Sequence, residues 1–227
     1  MCGGRSPLRQ HETSPEAAVL RSRLRHVLWI GGGSGAGKST VAARLAAEHG
    51  LHLYDTDAVM SDHAGRTTPE QAPYLHEFIA MSMDERWVRR SPEVMFETFH
   101  WFRGEGFGLI VEDLLALPEG TRVIAEGFRL LPALVGPLLA DPSRAVWLLP
   151  TQRFRSDAVN GRATPGSGFL HRTGDPERAG RNIAERDRLF VDRTRRETRR
   201  LGLAAVEVDT AMTEEDSVRR VSELFGL

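Results

Sequence analysis

The stretch WIGGGSGAGKST, residues 29–40, leaves this chain few ways to fold. It satisfies G-x-x-x-x-G-K-[ST] from Gly32 to Ser39, with an apolar run at 26–30 before it and TVAARLAAEH after it. An apolar run, a glycine-rich turn and a helical segment in that order describe a strand whose end opens straight into a helix amino terminus. Glycines let consecutive N–H groups turn inward around an anion, and the helix end adds partial positive charge. Gly32, Gly33, Ser34, Gly35, Ala36, Gly37, Lys38, Ser39 and Thr40 are therefore expected to hold ATP. In that arrangement Lys38 bridges the outer phosphates and the Ser39 hydroxyl holds Mg2+. Lys38 is also the only lysine among 30 basic residues. A compact ammonium fits a cradle that a planar guanidinium overfills, a physical reason for lysine at this one place.

The rest of the chain alternates in the same way. Further short apolar runs lie at 51–54, 122–125, 145–149 and 204–208, separated by helix-like sequence. Strands alternating with helices predict an α/β fold of the P-loop NTPase type, a five-stranded parallel sheet with helices on both faces. Ser14 followed by Pro15 predicts a helix toward Arg25, and residues 40–49 predict another, stopped by Gly50. Residues 1–25 read as a partly helical extension and 26–227 as one domain. Within it, 66–119 is expected to be a helical acceptor-binding insertion and 153–188 a lid region. Residues 160–180, rich in Gly, Pro and Thr, predict a mobile surface loop, and the sequence from Arg181 onward has charge spacings (181/185, 188/192, 192/196) that support a solvated helix.

Charge narrows the function. A net charge of -1 argues against a DNA-coating or membrane-surface role. The charges are nonetheless segregated: residues 48–119 hold 14 acidic and 5 basic side chains, and residues 153–200 hold 7 acidic and 13 basic. The start MCGGRSPLRQ lacks a secretory apolar stretch, the lone Cys2 permits no internal disulfide, and no apolar run is long enough to span a bilayer. A cytoplasmic location is expected.

Acidic side chains at strand ends supply candidate chemistry. In LYDTDAV, Asp55 and Asp57 are two apart, which in extended chain turns both toward the crevice beyond the strand ends. Asp57 is the candidate base and Asp55 its support, either as substrate contact or as magnesium ligand; each is also a good helix cap. VIAEGFR ends a predicted strand in Glu126, a candidate for magnesium or acceptor contact and, alternatively, a cap for the helix near Leu131 or a partner for an arginine. Gly127 would admit a close substrate, and Arg129 is a candidate contact to an anionic group. Arg155, Arg162, Arg181 and Arg186 are candidates to close over the phosphates, because guanidinium groups stabilise charge developing during phosphoryl transfer.

Together, GGGSGAGKST, YDTD, the VIAEG strand end, the late lid and the final AVEVDTAMTEEDSVRRVSELFG resemble the small P-loop kinases, within them the branch of shikimate kinase, gluconate kinase and chloramphenicol phosphotransferase. The resemblance implies an ATP- and Mg2+-dependent phosphotransferase acting on a hydroxyl of a small-molecule acceptor, with no nucleic acid and no membrane as partner. YDTD resembles the shikimate kinase D-x-D, which gives Asp57 the acceptor hydroxyl. RDRLF resembles that family's R-x-P-L-Y, which puts Arg186 at an acceptor- or phosphate-binding position. EGFR departs from the pattern after the third strand, and the acidic insertion is longer, so shikimate itself is not the expected acceptor. An acidic, aromatic lining (Trp87, Phe96, Phe99, Trp101, Phe102) favours a neutral or cationic acceptor such as a nucleoside, a sugar or an antibiotic, although the same aromatics fit a helical core. A guanine-reading N-K-x-D is impossible with one lysine, which removes GTPase switches. A nucleoside monophosphate kinase and a non-catalytic ATP-binding regulator are the alternatives.

Overall fold

The computed structural model describes residues 15–151 and 169–227. Strands β1 (Val27–Gly32), β2 (His52–Asp55), β3 (Val123–Glu126), β4 (Ala145–Pro150) and β5 (Ala204–Val208) form one parallel sheet in the order β2-β3-β1-β4-β5. Each coincides closely with an apolar run of the sequence. Around them lie helices α1 (Pro15–Arg23), α2 (Lys38–His49), α3 (Met60–Gly65), α4 (Pro73–Ala80), α5 (Met83–Trp87), α6 (Pro92–Thr98), α7 (Phe107–Ala116), α8 (Pro132–Val135), α9 (Pro176–Leu201) and α10 (Glu214–Phe225). No helix among the described residues is long and apolar enough to cross a membrane.

β1 and β4 are buried along their whole length, so their side chains feed two cores by simple alternation. Leu28, Ile30, Val146 and Leu148 pack with Leu45 of α2 and Val221 and Phe225 of α10. Trp29, Trp147 and Leu149 pack on the other face with Ile110 and Leu114 of α7. Burial of each tryptophan contributes about 3 kcal/mol. The Trp147 indole keeps its polar group satisfied by donating to the Leu130 carbonyl at 2.8 Å.

Between β2 and β3, helices α3 to α7 build a third core from Leu75, Phe99, Trp101 and Phe102 together with Phe190 of α9. The aromatics of the insertion are thus packed as core, Phe102 stacking on Phe190 at 4.1 Å. α9 begins earlier than its charge pattern predicts. A 3-10 turn spans Phe169–Arg172, and Asp175 then caps the helix by accepting from Arg178 N at 2.9 Å, with Pro176 as its first residue. Gly-Asp-Pro-Glu reads as loop by composition, yet Asp followed by Pro is also a helix start. The predicted 188/192 pair forms at 2.7 Å, whereas Arg181 pairs with Glu177, and Asp192 also with Arg195.

Candidate active site

Parallel strands place their carboxyl ends on one rim. The register sets Glu126 beside both Ile30 and Asp55, so β1, β3 and β2 end side by side. From β1 the chain leaves through glycines whose shape is forced. Gly32 has φ 125°, and a Cβ there would lie 2.0 Å from the Leu148 carbonyl oxygen. Gly37, at φ 78°, turns the chain straight into α2, so that Lys38 and Ser39 form its first turn instead of preceding a helix that starts at Thr40.

Lys38 Nζ donates to the Gly33 carbonyl at 2.9 Å, and the residue is only 8% exposed. Burial lowers its pKa, against the pull of Glu126, Asp57, Asp187 and Asp55. Glu126 is 2% exposed, and burial raises its pKa, opposed by a hydrogen bond from Ser39 and by Lys38. It does not cap α8, whose cap residue is Leu131 with no side-chain bond. Among the described residues no three His, Cys, Asp or Glu side chains are arranged to hold a metal unaided. Magnesium characteristically takes one or two carboxylates, waters and substrate phosphates, a donor set that Ser39 with Glu126 fits.

The two aspartates separate where two-residue alternation breaks down. β2 ends at Asp55, and the following turn carries Asp57 away from strand geometry. Asp55 Oδ1 accepts from the backbone N–H of Asp57 at 2.7 Å and of Ala58 at 3.3 Å. The capping alternative therefore occupies one oxygen of Asp55, which leaves its second oxygen and its charge for a ligand. Asp57 as a residue is exposed at the rim, yet its carboxylate is walled enough that desolvation raises its pKa, with Lys38 opposing and Asp55 adding. Gly127 admits a neighbour from this chain rather than an incoming substrate: its Cβ position lies 1.8 Å from Thr56 Oγ1.

Arg129 also differs from expectation. It is 2% exposed and committed to the protein, donating from Nη1 to the Thr56 carbonyl at 3.0 Å and from Nη2 to His63 Nδ1 at 2.9 Å, with Trp101 stacked 4.1 Å away. Burial pulls its pKa down, though a guanidinium stays charged at neutral pH. Because Nδ1 accepts, His63 donates from Nε2 to Asp113 at 2.7 Å, and Asp113 also accepts from Tyr54 at 2.7 Å and Arg66 at 2.8 Å. The chain Asp113–His63–Arg129 thus holds the Thr56 peptide, which precedes Asp57. His63 and Asp113 carry no motif, and their spacing of fifty residues gave no signal.

Of the lid candidates, Arg155 and Arg162 lie outside the described residues. Arg181 is exposed and paired with Glu177. Arg186 points inward, its Nε and Nη2 on Asp187 Oδ1 at 2.9 and 2.6 Å and its plane 4.6 Å from the Phe99 ring. Asp187 in turn is one of the carboxylates acting on Lys38. The expected acidic lining is not what faces this space. Glu70, Glu77, Glu93 and Glu97 are exposed, whereas Arg86, Arg90, Arg129 and Arg186 gather about His100. Net charge of a segment does not say which sign turns inward.

His100 is 2% exposed, and burial, with those four arginines, lowers its pKa from 6.5 to about 3. Below the unfolded value the unfolded chain binds the extra proton, so stability present above pH 6.5 is lost as pH falls toward 3. Its expected contribution approaches about 1.4 kcal/mol per pH unit. Urea unfolding of wild type and His100→Gln from about pH 7 to about pH 4.5 checks this, the variant's profile being flatter by that slope.

Known proteins match parts of this chain. The family model for shikimate kinase matches residues 34–72, which include most of the phosphate loop, α2, β2 and Asp55-Thr56-Asp57. A 2-phosphoglycerate kinase from Methanococcus maripaludis (strain C6) is 32% identical over 146 residues, 56% of this chain and 44% of that protein. A shikimate kinase from Rhodococcus jostii (strain RHA1) is 40% identical over 62 residues, 27% of this chain and 37% of that protein. The chain therefore spans less than half the length of either relative. A solved deoxyadenosine kinase from M. mycoides with bound dATP aligns over 88% of this chain and 100% of its own, at 11% identity and a TM-score of 0.45. The parallel sheet, the Gly32–Ser39 loop and these sequence matches give the conclusion that the chain has the P-loop NTPase fold and is similar in sequence to the small P-loop kinases of the shikimate kinase branch.

Proposed function

We propose that this protein transfers the γ-phosphoryl group of ATP to a hydroxyl of a small molecule. The observation that carries the reading is the convergence of Lys38, Asp57 and Glu126, brought from α2, the turn after β2 and the end of β3 into one electrostatically coupled group. The glycine loop and the α2 amino terminus would bind the phosphates, and Lys38 would leave the Gly33 carbonyl to bridge them. Ser39 and Glu126 would hold magnesium, which when bound supplies charge neutralisation across the outer phosphates. Asp57 would take the proton of the acceptor hydroxyl as its oxygen bonds to the γ-phosphorus and ADP leaves. A carboxylate pKa raised by partial burial suits a base that must accept that proton. Arg129, through Thr56, is a positioning residue in this scheme.

Asp57→Asn is the test of that assignment. It keeps the side chain's size and removes its basicity, so kcat is expected to fall about 10²-fold or more at saturating magnesium with ATP affinity little changed. A variant that recovers full rate at higher magnesium would move Asp57 from base to metal ligand.

A further inference from the structure

The Asp57 carboxylate is hardly held by contacts of its own. Among the described residues it accepts from Thr56 Oγ1 alone, at 3.4 Å. Its position is therefore set through the backbone, and the peptide unit that leads into Asp57 is held at both ends. The Thr56 carbonyl accepts from Arg129 Nη1 at 3.0 Å, and the Asp57 N–H donates to Asp55 Oδ1 at 2.7 Å. Because a peptide unit is planar, fixing its oxygen and its nitrogen fixes the plane that carries the Asp57 Cα.

Arg129 fixes that carbonyl only as well as it is itself oriented. Its Nε has no partner among the described residues, so the guanidinium is steered through Nη2, which donates to His63 Nδ1 at 2.9 Å and to the Gly106 carbonyl at 3.3 Å. A guanidinium only donates and a carboxylate only accepts, whereas a neutral imidazole presents an acceptor and a donor on one rigid ring and can join the two. Fully buried His63 does so, its Nε2 donating to Asp113 Oδ2 at 2.7 Å. The same Oδ2 accepts from the Tyr54 hydroxyl at 2.7 Å, and Arg66 Nη1 holds Oδ1 at 2.8 Å. One carboxylate on α7 thus fixes β2 directly at Tyr54, just before Asp55, and fixes Thr56, just after it, through His63 on α3 and Arg129.

We propose that His63 and Asp113 are positioning residues that set where the Asp57 carboxylate stands for phosphoryl transfer. This rests on the kinase reading above, with Asp57 as its base, and extends it to two residues that act through Arg129 and Tyr54. Buried hydrogen-bond chains are rigid when every member is satisfied, and a reacting group displaced by about 1 Å loses about 10²-fold in rate. Breaking the chain at His63 or Asp113 therefore costs rate without touching the phosphate loop.

The test uses His63→Leu, which removes both ring nitrogens, and Asp113→Asn, which keeps the shape and one acceptor oxygen at a partly exposed site and so should fold where the first does not. Amide hydrogen exchange followed by NMR needs no substrate. The Thr56 and Asp57 amides, which donate to the Glu126 carbonyl and to Asp55, are expected to exchange about tenfold faster in the variants while β1 amides keep their wild-type rates. Exchange equal to wild type, or quickened equally in β1 as a merely structural role would give, overturns the proposal. Turnover is read as ADP formed from Mg2+–ATP with pooled hydroxy acids, sugar phosphates, polyols and nucleosides as acceptors. The rate at saturating Mg2+–ATP is expected to fall about tenfold or more in His63→Leu, and less in Asp113→Asn, with the KM for ATP unchanged. In an Asp57→Asn background the same substitutions should cost about threefold or less, because the group they position is gone. Losses that multiply fully with that of Asp57→Asn place His63 and Asp113 elsewhere in the mechanism and overturn the proposal. If wild type forms no ADP with any acceptor, the kinase reading fails, and the exchange rates still decide whether His63 and Asp113 fix the turn at Asp57.

Discussion

Lys38→Ala is expected to lower phosphoryl transfer by about 10³-fold or more while leaving a folded protein. The ammonium feels Glu126, Asp57, Asp187 and Asp55 together, and it is the group that would follow charge onto the leaving phosphate. Its loss removes an attraction to those carboxylates but also the cost of burying Lys38, so the effect on stability should be small beside the effect on rate. Lys38→Arg should not rescue, because a planar guanidinium is larger than the buried ammonium that donates to the Gly33 carbonyl. Steady-state turnover with thermal unfolding of each variant checks both halves. Turnover within a fewfold of wild type would remove Lys38 from the mechanism.

Gly127→Ala should act on stability instead. Its φ of 144° is disfavoured for any side chain, and the new Cβ would lie 1.8 Å from Thr56 Oγ1 and 3.4 Å from Asp57 Oδ1. Strain and overpacking together predict a loss of about 4 kcal/mol in urea unfolding. Thr56→Ala in the same chain removes the closest contact and should restore part of that loss, whereas Thr56→Ser, which keeps the hydroxyl, should restore little. Equal stability of all three doubly and singly substituted proteins would show that the turn relaxes freely and does not fix Asp57.

Sequence made the phosphate loop legible because its chemistry is local. Its glycines, lysine and serine stand within nine residues, and a strand and a helix on either side complete the pattern. β1 and β4 were legible for a related reason, since both are buried on both faces and appear as apolar runs. What depended on direction was not. Two-residue spacing pairs Asp55 with Asp57 on one strand, but the strand stops between them and backbone N–H groups claim one oxygen of Asp55. The sequence offers Arg129 to a ligand, whereas it faces Thr56, His63 and Trp101. The start of α9 was hidden in a Gly- and Pro-rich composition that also spells a cap. Arg86 and Arg90, two of the four arginines around His100, lie in a segment acidic by count, and only packing shows that Glu70, Glu77, Glu93 and Glu97 of that segment face solvent.

The Lys38–Asp57–Glu126 group is expected to move a phosphoryl group onto a small molecule. Mass spectrometry of hydroxylated compound pools after incubation with Mg2+–ATP tests it most directly, with wild type and Lys38→Ala run side by side. One new species heavier by a single phosphoryl group is expected, formed in step with ADP and absent with the variant. Tight ATP binding with neither ADP nor a phosphorylated product from any pool would contradict it and make the site a nucleotide sensor.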